Sequence, residues 1–423
     1  MPVEAFIQTK ERTAGLSDEA VHGSGRTGAQ GRIKKMRRFD QRPGEDRLLT
    51  TADALARSVF PAAARPGPSD TQDLGHGAGQ AKDRFIFLDE LRGLAALSVV
   101  LLHASQLFSF RLNSHPSLAV DFFFCLSGFV LANGYDQKLK AGALGSRAFL
   151  LKRVVRLYPM MVVGVALGVL ASQFALTPNI ALAEVSILAV GALFLLPLGL
   201  LVGQEAFAIN NPLWSICFEM VASVVYGSVA HRRIYFWQEI AVFALLAAAL
   251  FQVVMFEGAI GPVGFANWRA FFEGFVRVGF SFLAGVLIFR WNIHRRVGAV
   301  PPQIPLFVLI AVLFFPFAVP SDVYDFTCIA VIIPIVVTLA SAVPQGAERP
   351  FAVYLGQLSY PLYVVHLPVI QFGDHFQYLT DGFIPLPVTV SGTLLVAVGV
   401  AHFLHGCFDA PLRAYLGRKF LLN

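Results

Sequence analysis

The chain has 423 residues, of which 56% are hydrophobic and only 14% charged, with a formal net charge of +6. A soluble globular chain carries about 25% charged residues, so that class is excluded. The positive charge gathers in an N-terminal tail and in short loops between apolar stretches, with no folded basic domain to read a groove, which argues against nucleic-acid binding.

Residues 1–84 are rich in Gly, Pro, Arg, Asp and Gln, and carry the basic cluster Arg32, Lys34, Lys35, Arg37 and Arg38. Such a composition cannot bury a core, and a disordered cytoplasmic tail is predicted. No apolar h-region follows its charges, so no secretory signal is expected. The basic stretch suits contact with anionic headgroups; a solvated, non-catalytic extension is the simpler reading.

Apolar stretches of bilayer-crossing length then recur at about 94–110, 118–135, 154–173, 212–230, 237–256, 271–289, 304–319, 325–343, 357–373 and 385–408. Lipid offers no partner to backbone N–H and C=O groups, so spans of this kind are helical. The predicted fold class is an all-α integral membrane protein of about ten transmembrane helices. Its membrane domain covers 85–417, with a C-terminal tail at 418–423. An eleventh stretch, 181–202, is broken by Pro197 and by Gly191 and Gly199. Lys and Arg concentrate on the cytoplasmic side of membrane proteins. With ten crossings, the cytoplasmic loops and C-terminus hold fifteen of these residues and the outer loops two, Arg111 and Arg269. The prediction is therefore ten spans, both termini inside, and 181–202 re-entrant or peripheral.

Ionisable groups within such spans are costly, about 3 kcal/mol or more near the centre, and are commonly retained for function. Arg92 and His103 are eleven residues apart, which is 1100° at 100° per residue. They therefore share a helix face, with a rise of roughly 16 Å between them. A neutral buried imidazole can take a proton from a hydroxyl; packing glue between helices is an equal reading of His103 alone. Asp121 opens the second span, where the helix dipole favours a carboxylate. Ser127–Gly128 permits close approach of a neighbouring helix. Arg153 and Arg156, one turn apart, suit phosphate oxygens; taken alone, a snorkelling positive-inside anchor is the better reading. Trp214 and Ser215 crowd the outer mouth of the fourth span. Glu219 lies seven residues into it, placed either to orient a donor or to pair structurally with Arg277. Tyr363 and His366 share a face by their i, i+3 spacing. The four cysteines lie in apolar stretches with no CxxC or metal-ligand spacing, so no metal site is predicted.

In order, these motifs resemble the transmembrane acyltransferase type 3 family, bacterial membrane O-acyltransferases that modify surface or exported glycans. The resemblance covers roughly 85–417. It rests on Phe87-Leu88-Asp89-Glu90-Leu91-Arg92-Gly93, His103 at the Arg-x10-His spacing, Asp121-Phe122-Phe123-Phe124 with Ser127-Gly128, and Arg153-x-x-Arg156. Pro212-Leu213-Trp214-Ser215 with Glu219, and Ser359-Tyr360-Pro361-Leu362-Tyr363 with His366, complete the set. Asp409-Ala410-Pro411 departs mildly from the Glu-x-Pro of relatives.

The resemblance implies acyl-CoA, acetyl-CoA above all, as cytoplasmic co-substrate, with no bound cofactor. It implies a glycan or lipid-linked saccharide hydroxyl as acceptor, and a place in the bacterial inner membrane among its lipids. His103 resembles the catalytic base, with Arg92 and Glu219 as catalytic partners. Arg153 and Arg156 would hold the coenzyme A phosphates. Asp121, Ser127, Trp214, Ser215, Tyr363 and His366 would bind substrate. The rival reading is a transporter or flippase of a lipid-linked glycan, suggested by the broken 181–202 segment; no inverted internal repeat accompanies it.

Overall fold

The structure is a computed structural model and describes residues 85–110, 115–173, 182–315, 319–344, 350–381 and 383–421. The predicted tail, 1–84, lies outside these residues. The described residues form helices and no strand. In chain order they are α1 (Ile86–Leu107), α2 (Leu118–Lys140), α3 (Ser146–Ser172), α4 (Leu182–Leu193) and α5 (Leu213–Val229). There follow α6 (Phe236–Glu257), α7 (Trp268–Arg290), the single turn α8 (Ile293–Arg296) and α9 (Gln303–Phe314). Helix α10 (Ser321–Thr327) runs through a π turn into α11 (Ile333–Ser341). Then come α12 (Pro350–Leu379) and α13 (Leu386–Leu404), which a second π turn at His405–Asp409 joins to α14 (Ala410–Leu421). Helix α14 continues past residue 417, the predicted end of the membrane domain.

Every predicted span overlaps a helix among the described residues, but the count of ten is not reached by length and apolarity. Six helical stretches satisfy both: Leu118–Lys140, Ser146–Ser172, Phe236–Glu257, Trp268–Arg290, Ser321–Ser341 and Leu386–Leu421. Helices α1 and α12 are long enough, with 22 and 30 residues, yet carry several polar side chains. Helix α9 has 12 residues and rises only about 18 Å, against a hydrocarbon core of about 30 Å. The 181–202 stretch is broken, as expected: α4 has 12 residues, and the chain turns at Leu195 (φ 55°) before a 3-10 turn at Leu198–Val202. Large apolar side chains such as Leu245, Phe256, Leu395 and Phe403 are exposed on α6 and α13, as on surfaces that face lipid. This is a multi-pass, all-α membrane protein.

Two helix pairs organise the interior. Helices α2 and α7 pack backbone to backbone: a Cβ on Gly128 would lie 2.0 Å from the Phe282 carbonyl oxygen, and one on Gly285 would lie 1.9 Å from that of Cys125. Small residues permit such contact where no hydrophobic effect drives helices together. The same pair is joined near both ends by ion pairs. At one end Arg277 and Asp121 are 1% and 0% exposed. Arg277 spends its five N–H groups on both Asp121 carboxylate oxygens (3.0 and 2.7 Å) and on the carbonyls of Ile260, Val263 and Ser117. A buried guanidinium with every donor satisfied is tolerable in an apolar medium. At the other end Arg290 donates to Asp136 (2.7 Å) and Glu239 (2.8 Å), and Lys140 pairs with Asp136 at 2.7 Å.

The second pair is α1 against α12. Pro368 has no N–H for the carbonyl of Val364 one turn earlier. That carbonyl instead accepts the Asn210 side-chain amide at 2.9 Å, and the same amide reaches Gly164 at 3.2 Å, tying the α5 entry loop to α12 and α3.

Candidate active site

Helices α1, α2, α3, α5 and α12 enclose a cavity of about 110 Å³. Its polar wall comprises Arg92, Ser127, Arg153, Arg156, Ser215, Glu219, Ser359, Tyr360 and Tyr363, set among Phe123, Phe124, Leu126 and Val130. Seven of the eleven residues singled out from the sequence thus meet in one cavity: Arg92, Ser127, Arg153, Arg156, Ser215, Glu219 and Tyr363. His103, His366, Asp121 and Trp214 do not line it.

The centre is Glu219. Its Oε1 accepts Ser127 Oγ–H at 2.7 Å and a guanidinium N–H of Arg153. The alternative sequence pairing of Glu219 with Arg277 is therefore corrected: Arg277 belongs to Asp121. Geometry explains the exchange, because Asp121 and Arg277 share the tight α2–α7 contact, whereas Arg153 comes from α3, beside α5. Arg153 is only 4% exposed, and its Nε–H is buried without a hydrogen-bond partner among the described residues. An unmade hydrogen bond from a buried cation is costly, so Arg153 carries one unsatisfied donor beside the cavity it lines. Arg156, one turn on, is exposed while still lining the cavity. The pair is therefore one buried, oriented cation and one exposed cation.

Arg92 is held at the cavity wall. Its Nε–H donates to Ser359 Oγ at 2.9 Å, a terminal nitrogen donates to the Gly356 carbonyl, and Asp89 lies 3.0 Å away. Ser359 and Tyr360, within the Ser359-to-Tyr363 motif, also belong to the site; the sequence signal for Ser359 is the need of an intramembrane arginine for acceptors. Tyr363 hydroxyl and Ser215 Oγ lie 2.7 Å apart, bridging α12 and α5.

His103 and His366 form a separate pair. His366 Nε2 lies 3.2 Å from His103 Nδ1, and the ring centroids are 5.0 Å apart. His366 is fully buried, and its ring also contacts Tyr363, centroids 5.8 Å apart. A run of rings, His103 to His366 to Tyr363, thus connects the imidazole pair to the cavity. Asp121 serves α2–α7 packing, and Trp214 packs edge-on to Phe124 with the Arg277 guanidinium 5.2 Å from its ring. Neither faces the cavity.

A family model described as an acyltransferase domain matches residues 85–404. The chain belongs to this acyltransferase family. Its matched region contains every residue of the cavity and both histidines. A Rhizobium radiobacter protein, named protein 2 in picA locus, is 38% identical over 159 residues, covering 34% of this chain and 82% of that one. Staphylococcus aureus proteins of strains COL and N315, named as O-acetyltransferases, are 24% identical over 368 residues, covering 77% of this chain. The acyltransferase spans 57% of the length of those staphylococcal relatives. No solved structure matches it. The protein is a membrane acyltransferase that transfers groups other than aminoacyl groups.

Proposed function

We propose that this acyltransferase moves an acyl group, acetyl in the first instance, from acyl-CoA to a hydroxyl of a cell-surface or exported glycan, across ten spans of a bacterial inner membrane with both termini cytoplasmic. The observation that carries the reading is the arginine pair: Arg153, a buried guanidinium oriented by Glu219, and the exposed Arg156 one turn on, line one cavity. Phosphate oxygens of coenzyme A are the matching acceptors, with Arg156 meeting the more solvated ones. The Lys and Arg distribution supports a cytoplasmic mouth. The O-acetyltransferase names of the staphylococcal relatives support acetyl transfer.

In the reaction, the acceptor hydroxyl gives its proton to His103 as its oxygen bonds to the thioester carbonyl carbon. The carbon–sulfur bond then breaks, and the coenzyme A thiolate leaves with the proton from the imidazolium. Arg92 and Glu219 act at the cavity wall, the first holding α1 to α12 and the second holding Arg153 in place. His103 does not line the cavity, and the His366 ring stands between it and Tyr363 of the cavity wall.

The test is turnover of radiolabelled acetyl-CoA by purified protein in liposomes supplied with envelope glycan, beside His103→Ala and Arg153→Ala. Transfer to glycan that is lost in His103→Ala and shows a raised KM for acetyl-CoA in Arg153→Ala is the expected result. No transfer from any short acyl-CoA by folded protein would overturn it.

A further inference from the structure

The two intramembrane histidines are bonded in a way that specifies where their protons lie. His366 Nδ1 faces the carbonyl oxygen of Leu362 at 3.1 Å, one turn back in α12. A carbonyl oxygen only accepts, so Nδ1 carries the proton of the neutral ring and Nε2 is left as an acceptor. That nitrogen lies 3.2 Å from His103 Nδ1. His103 Nδ1 also lies 3.0 Å from the Val99 carbonyl oxygen. It therefore faces two acceptors and must itself be protonated. With one proton per neutral imidazole, the lone pair of His103 is left on Nε2.

We propose that His366 is a positioning residue: with the Val99 carbonyl it holds His103 in the Nδ1–H tautomer, and from a second helix it fixes the ring so that Nε2 is left bare to take the acceptor proton. The proposal rests on the reading of His103 as base given above. His366 does for His103 what a buried carboxylate does for a catalytic histidine: it orients the ring and accepts from Nδ1–H. A second imidazole achieves this without placing a net negative charge in the bilayer, where a carboxylate lacking a cation would be costly. When His103 takes the proton, its imidazolium keeps Nδ1–H on His366 Nε2, now a charge-assisted hydrogen bond. When the leaving thiolate reclaims the proton from Nε2, both rings return to their starting tautomers. No other co-reactant is needed. The Val99 carbonyl alone would leave the ring free to pivot about that single bond; the second acceptor, on another helix, closes this freedom. His366 is 0% exposed, so it orients without competing for substrate.

Two measurements test this. Nitrogen-15 solid-state NMR of histidine-labelled wild-type protein in bilayers, with His103 identified by its loss in His103→Ala, should show His103 protonated on Nδ1 and bare on Nε2. The opposite tautomer would overturn the proposal whatever the activity. In turnover, His366→Leu should lower kcat by about 10²-fold, within the range of general acid–base contributions, with KM for acetyl-CoA unchanged. His366→Gln places a carbonyl oxygen near the Nε2 position and should restore most of kcat. Equal losses in the Leu and Gln variants, or a loss carried by KM, would mark a packing role and overturn the proposal. Full turnover in His103→Ala would overturn the base assignment and this proposal with it. An inactive His103→Ala beside an unimpaired His366→Leu would overturn this proposal alone.

Discussion

Replacing Asp121 with Ala removes both carboxylate oxygens that Arg277 Nε and one terminal nitrogen address at 3.0 and 2.7 Å. The guanidinium stays behind, 1% exposed, holding three backbone carbonyls but without a counter-charge. Hydrogen bonds to charged groups contribute about 1.5–3 kcal/mol each, and breaking one side of a buried ion pair costs about 3–5 kcal/mol. The two routes agree on a loss of about 3–5 kcal/mol. Taking an unfolding entropy of about 2.1 cal/mol/K per residue over the matched segment 85–404, the midpoint should fall by about 4–7 °C. A thiol-reactive dye reads this directly, because Cys125, Cys217 and Cys328 are buried and unpaired and react only on unfolding. Cys407 is exposed, so the measurement is made in a Cys407→Ser background. Asp121→Asn keeps one acceptor oxygen and should fall between wild type and Asp121→Ala. An unchanged midpoint in Asp121→Ala, together with a raised KM for either substrate, would refute the reasoning. It would return Asp121 to substrate binding, the role its motif implies.

Gly128→Ala places a methyl 2.0 Å from the Phe282 carbonyl and forces α2 from α7, an overpacking cost of about 1–3 kcal/mol. The same dye assay should show a lower midpoint, while Gly392→Ala, whose added carbon meets nothing within 4 Å, should show none. Glu219→Gln keeps an oxygen for Ser127 but removes the charge that orients Arg153. Displacing a positioning group by about 1 Å can cost 10²-fold, so kcat/KM for acetyl-CoA should fall by about that factor with the melting midpoint little changed.

What the sequence made legible is what repeats or is local. Apolar runs reveal the helices, and the eleven-residue step puts Arg92 and His103 on one face, where the structure keeps them both against α12. Ser127–Gly128 signals a close contact, found against α7. Pairings between distant elements were not legible, because periodicity on one helix says nothing about which neighbour it meets. Arg277 was a reasonable partner for Glu219 by charge alone, yet it pairs with Asp121, and Glu219 takes Arg153. His103 and His366 were each readable as intramembrane histidines, but 263 positions separate them, and their hydrogen bond depends on the packing of α1 on α12. Helix lengths were blurred for a related reason: hydropathy runs through 304–319 without a break, whereas α9 closes at Phe314.

The pairings also bear on how the chain threads the bilayer. Along α1 and α12 the contacts advance together, from Arg92 with Ser359 to His103 with His366, so these helices run in the same direction. Along α2 and α7 they also advance together, from Asp121 with Arg277 to Asp136 with Arg290. Two spanning helices point the same way only if an odd number of crossings separates them. Between α2 and α7 lie three predicted spans, 154–173, 212–230 and 237–256; a crossing by 181–202 would make four and reverse α7. Between α1 and α12 the predicted spans number seven, and losing 304–319 alone would make six and reverse α12. The parity of both pairs therefore excludes gaining or losing a single crossing between the paired helices, even though α9 by itself is too short to cross as a straight apolar helix. Helix direction, fixed by side-chain partners inside the bundle, carries topological information that hydropathy along the chain does not.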